Sequence, residues 1–240
     1  MFTFEKDMKG LVLKNINDII HLLDDKNYYH RNVAIAFELP VKYRLIDIAI
    51  AYGISEKLLE NTNQIKSFKY LNNMLITLLS IFSIKPEISI QKLNSEMYLS
   101  WDDTIGKLKQ LEKLNLIEHV SKFKYRATQW IRDFEKIDII SIELKLYNWR
   151  EALKQAEYNL LFSDYSFVAI DKDRLPSTSK ITASYGDKNV GLLAVDTNGT
   201  IDPLIVPKRN NLYDKKLYAE QRVNILKNIS KSKKWLMKDD

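Results

Sequence analysis

The chain has 240 residues, 45% of them hydrophobic, an ordinary globular composition that can fill one large domain or two small ones. It has no cysteine, which excludes disulfide frameworks, thiolate zinc sites and cysteine nucleophiles together, so any metal must sit on oxygen or histidine. The net charge of +6 is uneven: residues 65 to 132 hold 11 Lys/Arg against 6 Asp/Glu, residues 208 to 240 hold 10 against 4, and the remainder carries −5. Such a division suits contact with a polyanion on one side and collection of a divalent cation elsewhere.

The opening MFTFEKDMKG has no cationic stretch followed by an apolar run, so no secretion signal is expected and the location expected is cytoplasmic. Residues 9 to 25, GLVLKNINDIIHLLDDK, carry Leu and Ile at helical spacing and predict a first helix. NVAIAFELP and YRLIDIAIAYG follow as two β-branched, apolar runs separated by a short loop, which predicts paired strands in a hairpin. The pattern then changes. Lys66 to Phe82 predicts a helix that Pro86 ends, and its longest apolar stretch falls short of the roughly 20 residues a membrane span needs. Ile90 to Met97 and Asp102 to Leu114 predict two helices joined through Leu99 and Ser100, with Ile105, Leu108, Leu111 and Leu114 facing a core. Ser100 can cap the second of these, and Asp102 and Asp103 suit its positive end. Ile117 to Val120 and Tyr125 to Thr128 predict two short strands around the basic SKFK tip. Helix, helix and ribbon in this order form a winged helix-turn-helix.

Strand patterning returns with DIISIELKL, then a helix over NWREALKQAEYNLLFSD, then the strand YSFVAID. NVGLLAVDTNG and TIDPLIVP predict further strands, and YAEQRVNILKNISKSKKWL a basic helix with a KNISKSKKW tail. This alternation points to an α/β sheet. Trp101, Trp130 and Trp149 read as packing residues, and His21, His30 and His119 are too far apart to suggest a zinc motif.

The sharpest chemical signal lies in Ile140 to Leu146. Alternation in a strand puts Ile140, Ile142, Leu144 and Leu146 on one face and Ser141, Glu143 and Lys145 on the other. A carboxylate and an ammonium on an otherwise apolar strand are costly unless paired or bound to something. Asp47 sits in a similar run, LIDIAIA, with Ala49 and Ala51 leaving space on its face. Two acids from neighbouring strands plus a lysine make a plausible Mg²⁺ site, with Mn²⁺ as a substitute. Glu-X-Lys by itself is also common as a solvated ion pair.

These residues resemble the PD-(D/E)XK nuclease superfamily: Asp47 stands at the first acidic position and Glu143-Leu144-Lys145 at the acid-X-Lys element, followed by a helix and the strand YSFVAID. Ile46 stands where many members have proline, and the two halves lie 96 positions apart, a gap that the winged-helix unit fills. The resemblance implies a discontinuous restriction-endonuclease-like mixed sheet core flanked by helices, residues 1–64 and 133–240, with an inserted winged-helix domain over 65–132. It implies that Asp47 and Glu143 bind metal and that Lys145 orients or activates the attacking water, or stabilises developing charge. Gln155 resembles the polar helix residue that supports such sites. Glu38 is either a further metal ligand or a surface residue at a strand end.

The function expected on this basis is Mg²⁺-dependent hydrolysis of DNA phosphodiester bonds. Lys107, Lys109 and Lys113 on the second helix, and Lys122, Lys124 and Arg126 on the wing, are placed to meet phosphate, while Gln110 and Thr104 could reach base edges. The alternative is a non-catalytic DNA-binding regulator or assembly subunit that retains the nuclease fold. Partners expected are DNA, a second copy of the chain, since cutting both strands needs two sites, and additional protein subunits; no membrane is expected.

Overall fold

A computed structural model of the chain describes residues 1–23, 32–41, 44–54, 66–133, 137–176, 178–211 and 214–231. The elements are α1 (Glu5–Lys14), α2 (Ile16–His21), β1 (Asn32–Val41), β2 (Arg44–Ile54), α3 (Asn73–Ile84), β3 (Glu87–Ser89), α4 (Ile90–Met97), α5 (Trp101–Lys113), β4 (Ile117–Ser121), β5 (Lys124–Ala127) and α6 (Gln129–Asp133). They continue as β6 (Asp138–Lys145), α7 (Trp149–Asn159), β7 (Tyr165–Asp171), α8 (Thr178–Asp187), β8 (Gly191–Val195), β9 (Ile201–Ile205) and α9 (Lys215–Lys231). The architecture is α/β. Six strands form a mixed sheet in the order β1-β2-β6-β7-β8-β9, and three form a second sheet in the order β3-β5-β4.

In the large sheet β6, β7 and β8 run parallel, and β9 closes onto β8 antiparallel. Parallel neighbours need long crossovers, and α7 and α8 provide them. A parallel core covered on both faces should be apolar throughout, which explains why every residue of β7 and β8 is buried. Ala152, Ala156, Val168, Ile170, Ile181, Tyr185, Val190 and Leu192 form one cluster between these strands and helices. The prolines within strands, Pro40 and Pro203, lie on β1 and β9, the two edges of the sheet, where a missing N–H is tolerated.

The chain divides into two compact units, one of Met1–His30, Ala36–Ile50 and Asp138–Tyr213, the other of Arg31–Ile35, Ala51–Ile137 and Asp214–Asp240. The C-terminal segment therefore groups with the second unit and not, as its sequence position suggests, with the core. Its helix α9 packs on α3, with Thr77 Oγ1 3.1 Å from Glu220 Oε1 and the Lys227 ammonium donating to the Leu71 carbonyl. Apolar burial on α3 outweighs the basic surface character that dominates a reading of α9. The tail from residue 232 onward, which includes the last four residues of KNISKSKKW, lies outside the described residues.

Other departures have local causes. The expected first helix starts earlier, at Glu5, and is broken at Asn15, whose side-chain amide donates to the carbonyls of Leu11 (2.9 Å) and Gly199 (3.1 Å). Such side-chain competition for backbone groups is why asparagine interrupts helices. The helix expected over Lys66 to Phe82 is likewise interrupted, and Asn72 caps α3 by accepting from Leu75 N at 2.9 Å. Ser100 caps α5 in the same manner, accepting from Asp103 N at 3.1 Å. Strand β3, paired with β5, and helix α8 had no counterpart among the expected elements. Among the described residues no helix is long and apolar enough to cross a membrane.

Candidate functional site

All of β6 up to Leu144 is buried, and Glu143 is only 4% exposed. Its burial in the sheet follows from the flanking Ile140, Ile142 and Leu144, which commit the strand to the core. The side chain is held from α7: Asn159, itself 3% exposed, donates from Nδ2 to Glu143 Oε1 at 2.7 Å. From the neighbouring strand β2, Asp47 Oδ2 accepts the backbone N–H of Leu144 at 2.8 Å. One oxygen of each carboxylate is thereby fixed. Asp47 Oδ1 and Glu143 Oε2 are left without a hydrogen bond among the described residues.

Burial pushes the Glu143 carboxyl up to about 7, and the Asp47 charge pushes the same way, while the Asn159 hydrogen bond, Lys145 and Arg44 act against it. Ionising Glu143 is therefore costly, chiefly because it is buried and secondarily because the Asp47 carboxylate lies close by. Lys145, at the end of β6, has a side chain 19% exposed, and its ammonium lies 3.5 Å from Glu5 Oε1 at the start of α1. The two line a cleft of about 370 Å³ with Thr3, Asn148 and Glu151. Asn148 opens α7 in the left-handed region at φ 58°, a conformation that asparagine tolerates better than most residues.

The structure thus brings Asp47, Glu143 and Lys145 together. Gln155 sits on α7 one turn before Asn159, with a buried Oε1 that has no hydrogen-bond partner among the described residues. Glu38 is not part of the group: it is exposed on β1 at φ 49°, and it is not among the charges acting on Glu143. Among the described residues no cluster of three or more His, Asp or Glu is built to hold a metal. Two carboxylates can still suffice for a magnesium-like ion, which normally keeps several waters.

Three residues escaped the sequence analysis: Asn159, Glu5 and Arg44, the last stacked over the Tyr158 ring at 5.5 Å. Asn159 had a signal, since it follows Gln155 by four residues and so shares its helix face. Glu5 and Arg44 had none, because their roles depend on how α1 and β2 begin.

In the second unit, Lys109, Lys113 and Lys122 are exposed and Lys107 is half-buried, and none of them forms an ion pair among the described residues. Lys124 pairs with Glu87 at 3.2 Å and Arg126 with Glu118 at 2.6 Å, so these two are partly neutralised. Gln110 is exposed. Thr104 cannot read bases: it is fully buried, and its hydroxyl donates to the Ser100 carbonyl at 2.9 Å. No protein-family model, curated protein or solved structure matches the chain.

Proposed function

We propose that the chain is a divalent-metal-dependent DNA endonuclease, with a restriction-endonuclease-like core and a winged helix that grips duplex DNA. The observation that carries this reading is the pair of carboxylates Asp47 and Glu143, on neighbouring strands beside Lys145, each with one oxygen held and the other without a hydrogen bond among the described residues. The core reading is supported by the order helix, β1, β2, β6, α7, β7, and the winged-helix reading by α4, α5 and the β4–β5 hairpin. Hard carboxylate oxygen donors fit Mg²⁺ or Mn²⁺. When bound, such an ion lowers the pKa of water and neutralises charge on a phosphate.

The protein's own residues account for the rest. The Leu144 amide and Asn159 hold one oxygen each of Asp47 and Glu143, so the two carboxylates would meet an ion without first having to be ordered. Lys145 shares the strand face of Glu143 and brings a cation to the attacking water or the phosphate oxygens. Gln155 supplies a further acceptor from α7. Lys109, Lys113 and Lys122 contribute sequence-independent attraction to the phosphate backbone.

Incubation of supercoiled plasmid with Mg²⁺, Mn²⁺ or EDTA tests the proposal. Nicking that requires metal and is lost in Glu143→Ala and Lys145→Ala supports it; a wild type that leaves every DNA intact with both metals contradicts it. One observation favours a second reading, a DNA-binding subunit without turnover: the Lys145 ammonium is already engaged by Glu5. Salt-sensitive DNA binding without cleavage would select that reading.

A further inference from the structure

The turn and hairpin of the second unit leave large aromatic rings in solvent. Trp101, the first residue of α5, is 38% exposed, and Phe123, at the tip between β4 and β5, is 48% exposed. Their ring centroids lie 6.1 Å apart at 64°, an edge-to-face contact that braces the rings without covering them. Tyr98, in the turn before α5, is 94% exposed and held at φ 54°, where an aromatic side chain is unusual. Single exposed apolar residues need no explanation, but several within one turn and one hairpin form a patch of the sort that meets a partner.

The surrounding charge identifies the partner. The Lys122 ammonium lies 5.3 Å from the Phe123 ring centroid; Lys107, Lys109 and Lys113 lie roughly 9, 12 and 18 Å further along α5 from Trp101, and none of the four has a carboxylate partner among the described residues. Two acids, Asp102 and Asp103, also flank Trp101 in the first turn of α5; Asp103 accepts the Ser100 hydroxyl at 2.6 Å, and the positive end of the helix offsets part of the charge of both. Aromatic rings beside Lys122, on a helix whose later turns carry three more lysines, suit nucleobases on a phosphate backbone more than an apolar protein surface. Within an intact duplex the base faces are already stacked, so only an unpaired base can use such a platform.

We propose that Trp101 and Phe123 form a stacking platform for an unpaired DNA base, which directs the protein to forked, frayed or gapped DNA in preference to intact duplex. This rests on the reading of the unit as a DNA-gripping module. The test is binding, measured by fluorescence anisotropy in EDTA so that cleavage plays no part, to a blunt duplex and to the same duplex ending in a single-stranded fork. The wild type should bind the fork roughly tenfold more tightly, the effect of stacking one base on an aromatic ring. Trp101→Ala and Phe123→Ala should lose that preference while keeping blunt-duplex affinity, and Trp101→Phe should retain it, which covers a hairpin that collapses on truncation.

Equal affinity of the wild type for the two DNAs, or a preference unchanged in Trp101→Ala, overturns the proposal and leaves the nuclease reading standing. Failure to bind any DNA overturns both. Self-association that Trp101→Ala abolishes, without a fork preference, would assign the patch to protein contact and also overturn the proposal.

Discussion

Glu143 concentrates the chemistry of the site, because a carboxyl 4% exposed beside Asp47 holds its proton up to about 7 rather than 4.5. Between those values the folded state binds more protons at this position than the unfolded chain does. Its contribution to stability is therefore greatest at and below the unfolded value and is lost as pH rises through about 7. Glu143→Gln, which keeps the shape and the Asn159 hydrogen bond, should match the wild type in urea denaturation near the lower value. Above the upper one it should be the more stable by on the order of 3 kcal/mol. Equal stabilities across the range would contradict the burial account. Asn159→Ala removes a hydrogen bond that favours the ionised form, so the pH profile of cleavage should move to higher pH with activity down about tenfold at neutrality, an effect of the size a charged hydrogen bond carries. A profile that keeps its position would make Asn159 a packing residue only.

Elements explain what could be read in advance and what could not. Strand β6 was legible because alternation places Glu143 and Lys145 on one face of an apolar run, and Asp47 because a lone acid interrupts LIDIAIA. Asn159 and Glu5 were hidden, since whether a helix residue reaches a strand depends on helix rotation and docking. The breaks at Asn15 and Asn72 come from side chains that bond backbone groups, which apolar periodicity does not register. Strand β3 is too short to show alternation, and α8 lacks a pronounced apolar stripe. Close approach is similarly invisible in a sequence: a Cβ on Gly191, at the start of β8, would lie 2.5 Å from Phe167 Cε1 and 2.8 Å from Pro207 Cδ. Phe167 is fully buried and cannot retreat, so Gly191→Ala should lower stability by about 1–3 kcal/mol in thermal or urea unfolding. An unchanged midpoint would show that β8 and the segment at Pro207 separate easily.

At the scale of the whole molecule, the two basic segments belong to one unit. Residues 65 to 132 and most of 208 to 240 both fall in the second unit, which gathers most of the excess positive charge there and leaves the acids of the candidate site in the first. Replacing Lys109, Lys113 and Lys122, which form no ion pair among the described residues, together by alanine should weaken duplex binding and flatten its salt dependence by about one unit of slope per lysine in contact with phosphate. Replacing the ion-paired Lys124 and Arg126 should do less; the opposite ranking would move the DNA path to the β4–β5 strands. On the proposed function, Asp47 and Glu143 hold a divalent cation. Titration of the protein with Mn²⁺, followed by calorimetry or by loss of the free-ion electron paramagnetic resonance signal, tests it without requiring the right DNA substrate. Saturable binding that disappears in Asp47→Asn and in Glu143→Gln is the predicted result, whereas no binding, or binding that both variants retain, would contradict the account.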